Sequence, residues 1–231
     1  MIDSRYTSDD YLQTTRGTWH LEDSPWKARQ VAQLLERQGL VPERICEIGC
    51  GAGGVLAELA ELLPTARRLV GFDVSDRAIE LCRQWDEERL EFYTGEGLDA
   101  AGPFDLALAL DVAEHVEDLF GFLRRMRERA AWKVYHVPLE ITLWYALSRR
   151  GLATWRRIGH LHKFTVDTAL EALRYTNHEI LDYHLTAVWQ SGQRQRWRTQ
   201  LAALPRTALG AINRQWAQRL LGGYSLLVLA R

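Results

Sequence analysis

Cysteine is scarce: three residues, at 46, 50 and 82, lie far apart in apolar stretches. That number and spacing exclude a disulfide framework or a zinc cluster and read as reduced thiols. Proline is also sparse, at six in 231 residues, and with 17 glycines the chain is neither collagenous nor a Pro/Gly-rich disordered one. No run of about 18 apolar residues is free of charge, so no transmembrane helix is expected. The opening MIDSRYTSDDY is polar and acidic, unlike a signal or transit peptide, and with the reduced thiols it predicts a cytoplasmic protein. With 47% hydrophobic and 26% charged residues, the length suits one domain with insertions and a real core. No internal repeat or low-complexity tract is present.

Acid is missing where base is concentrated. Residues 1–140 carry a net charge of −10 and residues 141–231 a net charge of +9, which nearly cancel to −1. Such asymmetry points to an anionic partner or to the two halves docking on each other.

Along the chain, Ala28, Val31, Leu34 and Leu35 recur at helical spacing after Pro25, and Gly39 stops the run. Short apolar runs then alternate with amphipathic helices. Strands are expected at 45–49, 68–74, 90–95, 104–112 and 132–138. The intervening helical stripes are Val55, Leu56, Leu59, Leu62 and Leu63; Ala78, Ile79, Cys82 and Trp85, capped by Ser75; and Val116, Leu119, Phe120, Leu123 and Met126. That alternation predicts a parallel sheet covered by helices on both faces. Strands at 179–189 and 224–230 follow a helix capped by Thr165; they lack a full crossover between them and are expected to pair antiparallel. Residues 1–39 form an N-terminal lid segment and helix. Residues 40–231 form the main domain, with basic insertions at 139–164 and 190–221.

The sharpest signal is Glu47-Ile48-Gly49-Cys50-Gly51-Ala52-Gly53-Gly54, where a strand ends and a helix begins. Glycines there permit a tight turn and close backbone approach to a ligand, and the helix start offers unpaired N–H groups. Gly49, Gly51 and Gly54 satisfy G-x-G-x-x-G, which with Asp73 reads as a dinucleotide fingerprint and a nicotinamide-dependent oxidoreductase. Glu47 and Gly53 support a second reading. A carboxylate two residues before the first glycine attracts a cation and is less welcome beside a diphosphate.

In this second reading the segment resembles motif I of the class I S-adenosylmethionine-dependent methyltransferases. Asp73 matches the acid that accepts both ribose hydroxyls in that family, with Val74 beside it. Glu96-Gly97-Leu98 resembles the step that meets the adenine. Asp111-Val112-Ala113-Glu114-His115-Val116 resembles the end-of-strand-four motif of the small-molecule branch, which includes the quinone-biosynthesis O-methyltransferases. The resemblance covers roughly residues 40–230. It implies an α/β, Rossmann-like, seven-stranded mostly parallel sheet with an antiparallel last strand, helices on both faces and helical insertions after strands five and six. It also implies S-adenosyl-L-methionine as cofactor, framed by Glu47, Gly49, Cys50, Gly51, Gly53, Asp73, Val74, Glu96, Gly97, Asp111 and Val112.

A sulfonium methyl is already activated, so the protein must align an acceptor and take its proton. His115, directly after strand four, is the candidate base, a role open beside helix capping or packing on the cofactor. In the quinone-biosynthesis enzymes E-x-x-E-H holds magnesium; here Asp111 replaces the first Glu with a shorter arm, and no metal is expected. Gly159-His160-Leu161-His162-Lys163-Phe164-Thr165 resembles a stretch at the pocket mouth of related methyltransferases and makes His160 and His162 acceptor candidates. Tyr11, Trp19 and His20 are candidates on an aromatic lid. Residues 141–163 and 190–221 carry eleven basic side chains and no acid, interleaved with tryptophans. These suit an anionic small molecule first and a lipid-linked acceptor with peripheral membrane contact second. The absence of an N/D-P-P-Y/F motif and of any RNA-binding module argues against nucleic acid. The expected activity is transfer of a methyl group to an O or N atom of a small molecule; a methyltransferase-like protein that binds without turnover is the non-enzyme alternative.

Overall fold

The computed structural model describes residues 19, 21–99, 103–147, 159–191 and 197–231. Seven strands form one sheet: β1 (Arg44–Ile48), β2 (Arg68–Asp73), β3 (Leu90–Thr94), β4 (Phe104–Leu110), β5 (Ala130–Pro138), β6 (Ile180–Ala187) and β7 (Tyr224–Ala230). Their order is β3-β2-β1-β4-β5-β7-β6, and only β7 runs against its neighbours. The helices are α1 (Ser24–Arg37), α2 (Gly54–Leu62), α3 (Asp76–Cys82), α4 (Leu119–Arg129), α5 (Leu143–Leu147), α6 (Val166–Tyr175), α7 (Trp197–Ile212) and α8 (Arg214–Leu221). The strand order reverses between β1 and β4, and in open α/β sheets that switch point opens a crevice at the carboxyl ends of the strands.

Strand alternation divides the core in two. Ile45, Leu69, Leu106, Leu108, Val134, Leu227 and Leu229 pack on one face against α1 and α2. Cys46, Val70, Ala107, Ala109, Tyr135 and Val228 pack on the other against α4 and α6. The period of two therefore sends Glu47 of β1 and His136 of β5 to the α1 face. All three cysteines are buried and unbridged, and burial pushes the Cys46 thiol up to about 12.

Side-chain caps mark the starts of α3, α4, α6 and α8. Ser75 Oγ accepts from Ala78 N at 3.4 Å, and Thr165 and Thr168 form a reciprocal capping box at the start of α6. Most strand ends shift by one or two residues from the sequence reading, and three differences have a visible cause. Trp85 lies beyond α3, and its indole N–H donates to Ala52 O at 2.7 Å. β4 ends at Leu110 rather than at 112, because Asp111 takes a left-handed φ of +58°. The stripe that begins at Val116 enters a helix only at Leu119, where Asp118 caps by accepting from Gly121 N at 2.9 Å; Ala113–His115 is a separate 3-10 turn.

Candidate functional site

A cavity of about 790 Å³ opens at the switch point, between the ends of β1, β2 and β4 and the start of α1. The glycine loop forms its floor. Gly49 has φ +74°, and a Cβ there would stand 2.5 Å from Val112 Cγ2, so both conformation and close approach demand glycine. Gly51 has φ +54° and donates its N–H to Asp73 Oδ2 at 2.9 Å; Asp73 Oδ1 accepts from Ser75 N at the same distance. Asp73 thus ties the loop to the start of α3 while lining the cavity. Burial raises its carboxyl above the ordinary range, and the N–H groups of Ser75, Gly51 and Val74 only partly oppose this.

Glu47 is buried at 2% exposure, and its Oε2 has no hydrogen-bond partner among the described residues. Burial pushes its carboxyl up to about 8; the Lys27 charge pulls down and the Asp73 charge pushes further up. Leaving a buried carboxylate oxygen unbonded is costly unless a ligand completes it.

Asp111 lines the same cavity just beyond the end of β4. Its Oδ2 pairs with Lys27 Nζ at 2.7 Å and its Oδ1 with His136 Nδ1 at 2.7 Å. His136 Nε2 in turn meets Thr186 Oγ1 at 2.9 Å, and the Trp26 ring stands edge-on to the His136 ring at 6.0 Å. Burial works against ionisation of Asp111, yet His136 and Lys27 hold its carboxyl far below the ordinary range. Lys27 is raised for the reciprocal reason, Asp111 outweighing burial.

A third cluster sits where the 3-10 turn meets Gly159 and His160. His115 Nδ1 lies 3.2 Å from Gly159 O; a carbonyl only accepts, so in the neutral ring Nδ1 carries the hydrogen and Nε2 the lone pair. His115 and His160 stack edge to face at 4.7 Å. His160 Nδ1 is 3.1 Å from Glu140 Oε1, and Lys163 Nζ is 2.6 Å from the other Glu140 oxygen. Burial, together with the nearby Asp111 charge, raises the Glu114 carboxyl well above its usual range.

Of the residues singled out in the sequence, Trp19, Glu47, Gly49, Cys50, Gly51, Asp73, Val74, Glu96, Asp111, Val112, His115 and His160 line the cavity. Gly53 and Gly97 stand behind it. A Cβ on Gly53 would strike the Phe92 ring at 2.6 Å, and one on Gly97 would meet Phe72 at 2.3 Å, so both serve chain packing. Glu96 is half-exposed and paired with Arg125 at 3.0 Å. His162 is turned away: its Nε2–H donates to Val116 O at 2.8 Å and its backbone N–H to Glu114 O, which makes it a latch on the 3-10 turn. Tyr11 and His20 lie outside the described residues. Asp111, which stands where the quinone-biosynthesis enzymes have their first Glu, is paired with Lys27 and His136. Glu114, His115 and His160 bring ligand atoms within 4.8 Å of one another.

Sequence reasoning missed His136 and Thr186. No local motif marks them; the signal was the alternation that turns residue 136 to the α1 face. The described lining carries eight acids (Asp23, Glu47, Asp73, Glu96, Asp111, Glu114, Glu117 and Asp118) against Lys27 and Arg125. Even with Glu47 and Glu114 protonated, the acids outnumber the bases, and such a field favours a cationic ligand.

Residues 46–131 match the family model described as a methyltransferase domain. The chain is 40% identical over 94 residues to the ubiquinone biosynthesis O-methyltransferase of Azorhizobium caulinodans, a match covering 37% of this chain and 35% of that protein. It is 28% identical over 113 residues to the norajmaline N-methyltransferase of Rauvolfia serpentina, covering 46% and 38%. The matched stretch spans little more than a third of either relative's length. Among solved structures, the magnesium protoporphyrin IX methyltransferase of Synechocystis PCC 6803 with bound SAH aligns at a TM-score of 0.62 and 16% identity, covering 98% of this chain and 95% of that one. The putative methyltransferase solved with the Haloferax volcanii Trm112 activator aligns at 0.68 and 16%, covering 99% and 96%. The glycine loop, the acid that ends β2, the matched stretch and the strand order agree with one another: residues 46–131 match a methyltransferase domain, and the chain has the fold of these solved methyltransferases.

Proposed function

We propose that this protein transfers a methyl group from S-adenosylmethionine to an O or N atom of a small-molecule acceptor. The observation that carries this reading is Glu47, a buried carboxyl group with an unbonded oxygen facing a cavity dominated by acids. When bound, the cofactor supplies an electrophilic methyl on a sulfonium. Asp73 takes the ribose hydroxyls, Glu47 meets the cationic amino-acid end, and the Gly49–Gly51 turn offers backbone at close approach. Glu96, Val74, Val112 and Cys50 wall the adenosine side, and Trp19, ahead of α1, reaches Gly51.

Because the Glu47 carboxyl sits at about 8, a cation bound below that pH must displace its proton. S-adenosylmethionine affinity should therefore rise with pH by up to about tenfold per unit toward pH 8 and flatten above it. Calorimetry in two buffers of different ionisation enthalpy checks the proton release, and Glu47→Gln should abolish the pH dependence. Clear binding of a nicotinamide dinucleotide with none of S-adenosylhomocysteine would overturn the assignment.

His115 is the proposed base, since Gly159 fixes its Nδ1 hydrogen and puts the lone pair on Nε2, 3.9 Å from Glu114 Oε1; His160 borders the same space as an acceptor contact. His115→Gln should lower kcat by about a hundredfold or more with cofactor affinity unchanged. If chelator alone reproduced that loss, the Glu114–His115–His160 set would be holding a cation instead.

The acidic lining gives no support to an anionic acceptor. The basic charge lies on the insertions, which favours a neutral, lipid-linked acceptor. The buried thiols suit a cytoplasmic setting.

A further inference from the structure

The insertions after β5 and β6 leave the sheet at its carboxyl end, where the cavity opens; Val188 and Ser191 from the second of these connections, with Ser225 of β7, line that cavity. The inner side of α7 is ordinary: Gly210 packs against the Tyr224 hydroxyl, and Arg206 donates to Leu221 O at 3.2 Å. Its outer side is not. Leu204, Pro205, Thr207, Ala208, Ala211 and Ile212 are all exposed, and none is charged. Leu204 is 66% exposed and Ile212 84%; Trp216 on α8 is 56% exposed, and Leu147 on α5, which packs against α8, is 76%. A helix that turns its apolar side to solvent is normally covered by something.

Charge decides among the candidate covers. Arg214 and Arg219 border the patch, the latter shared with Asp167 at 3.3 Å. By sequence, residues 141–163 and 190–221 add up to eleven basic side chains and no acid. A two-fold contact between copies would set one basic rim against another, which repels. An anionic bilayer offers both complements: headgroups for the arginines, and a hydrocarbon boundary for Leu204, Ile212 and Trp216. We propose that the outer face of α7 and α8, with α5, is a docking surface for an anionic lipid membrane, placing the cavity mouth at the bilayer. This stands independently of the chemistry proposed above.

Co-sedimentation of the full chain with vesicles tests it. Vesicles of equal phosphatidylcholine and phosphatidylglycerol should bind at least about tenfold more tightly than phosphatidylcholine alone, and binding should weaken as salt rises. The double variant Ile212→Ser, Trp216→Ser should lose about tenfold on the anionic vesicles, with circular dichroism showing the wild-type helix content. Absence of sedimentation, equal binding to both lipids, or no loss in the double variant overturns the proposal. A dimer seen by light scattering that the double variant dissolves would assign the face to a second copy and overturn it as well.

Discussion

Replacing Asp73 by alanine should weaken S-adenosylhomocysteine binding by at least about a hundredfold, measured by calorimetry. Two ribose hydroxyls bonded to one carboxylate contribute roughly 1.5–3 kcal/mol each, because the acceptor is charged and water is excluded. The loss should exceed that of the contact alone. Asp73 also holds the Gly51 and Ser75 N–H groups at 2.9 Å, so its removal unfastens the loop that floors the cavity. Asp73→Asn keeps the shape and one acceptor oxygen and should fall between wild type and alanine. The thermal midpoint should drop for Asp73→Ala by an amount equivalent to about 1–2 kcal/mol, since two partially buried donors lose their acceptor. Unchanged affinity in the alanine variant would remove Asp73 from the site.

Lys27→Met should destabilise the protein by about 2–3 kcal/mol in denaturant unfolding. Removing one partner of a fully buried pair typically costs about 3–5 kcal/mol, because the other charge stays behind unpaired. The lower figure applies because the Asp111 side chain keeps 31% exposure toward the cavity. Adding Asp111→Asn to Lys27→Met should recover much of the loss by removing the stranded charge, which a double-mutant cycle would report as strong coupling. Acid should shrink the difference. The Asp111 carboxyl is depressed in the fold, so its contribution is complete above the ordinary value of 3.8 and disappears as pH falls below that toward the folded-state value. The variant should bind cofactor less well at neutral pH too. Without the Lys27 charge the Glu47 carboxyl rises further above about 8, and a larger fraction must give up its proton to receive a cation.

The strands and helices were legible because their signals are local. Runs such as Phe104–Leu110 are buried on both faces, and the stripe Ala28, Val31, Leu34 and Leu35 is the buried side of α1. The glycine loop was legible for the same reason, since its unusual φ values leave a mark in composition. Val116 was misplaced because helical spacing continues by chance across a turn, and only the Asp118 cap shows where α4 begins. His160 and His162 looked equivalent in sequence. The chain direction at Gly159 sends the first to the cavity, and a bond to Val116 O takes the second away.

By itself the sequence determined the alternation of strand and helix, the turn of Gly49 and Gly51, and the acid at the end of β2, because each depends on neighbours a few residues away. Only the tertiary structure decided which acids the protein keeps for itself and which it leaves for a ligand. Asp111 is claimed by Lys27 from α1 and His136 from β5, whereas Glu47 on the same face of the sheet is buried with one oxygen unbonded. The physical reason is that burial and pairing set the cost of a charge, and both are fixed by segments that lie far apart in the chain and meet only when the sheet closes against α1.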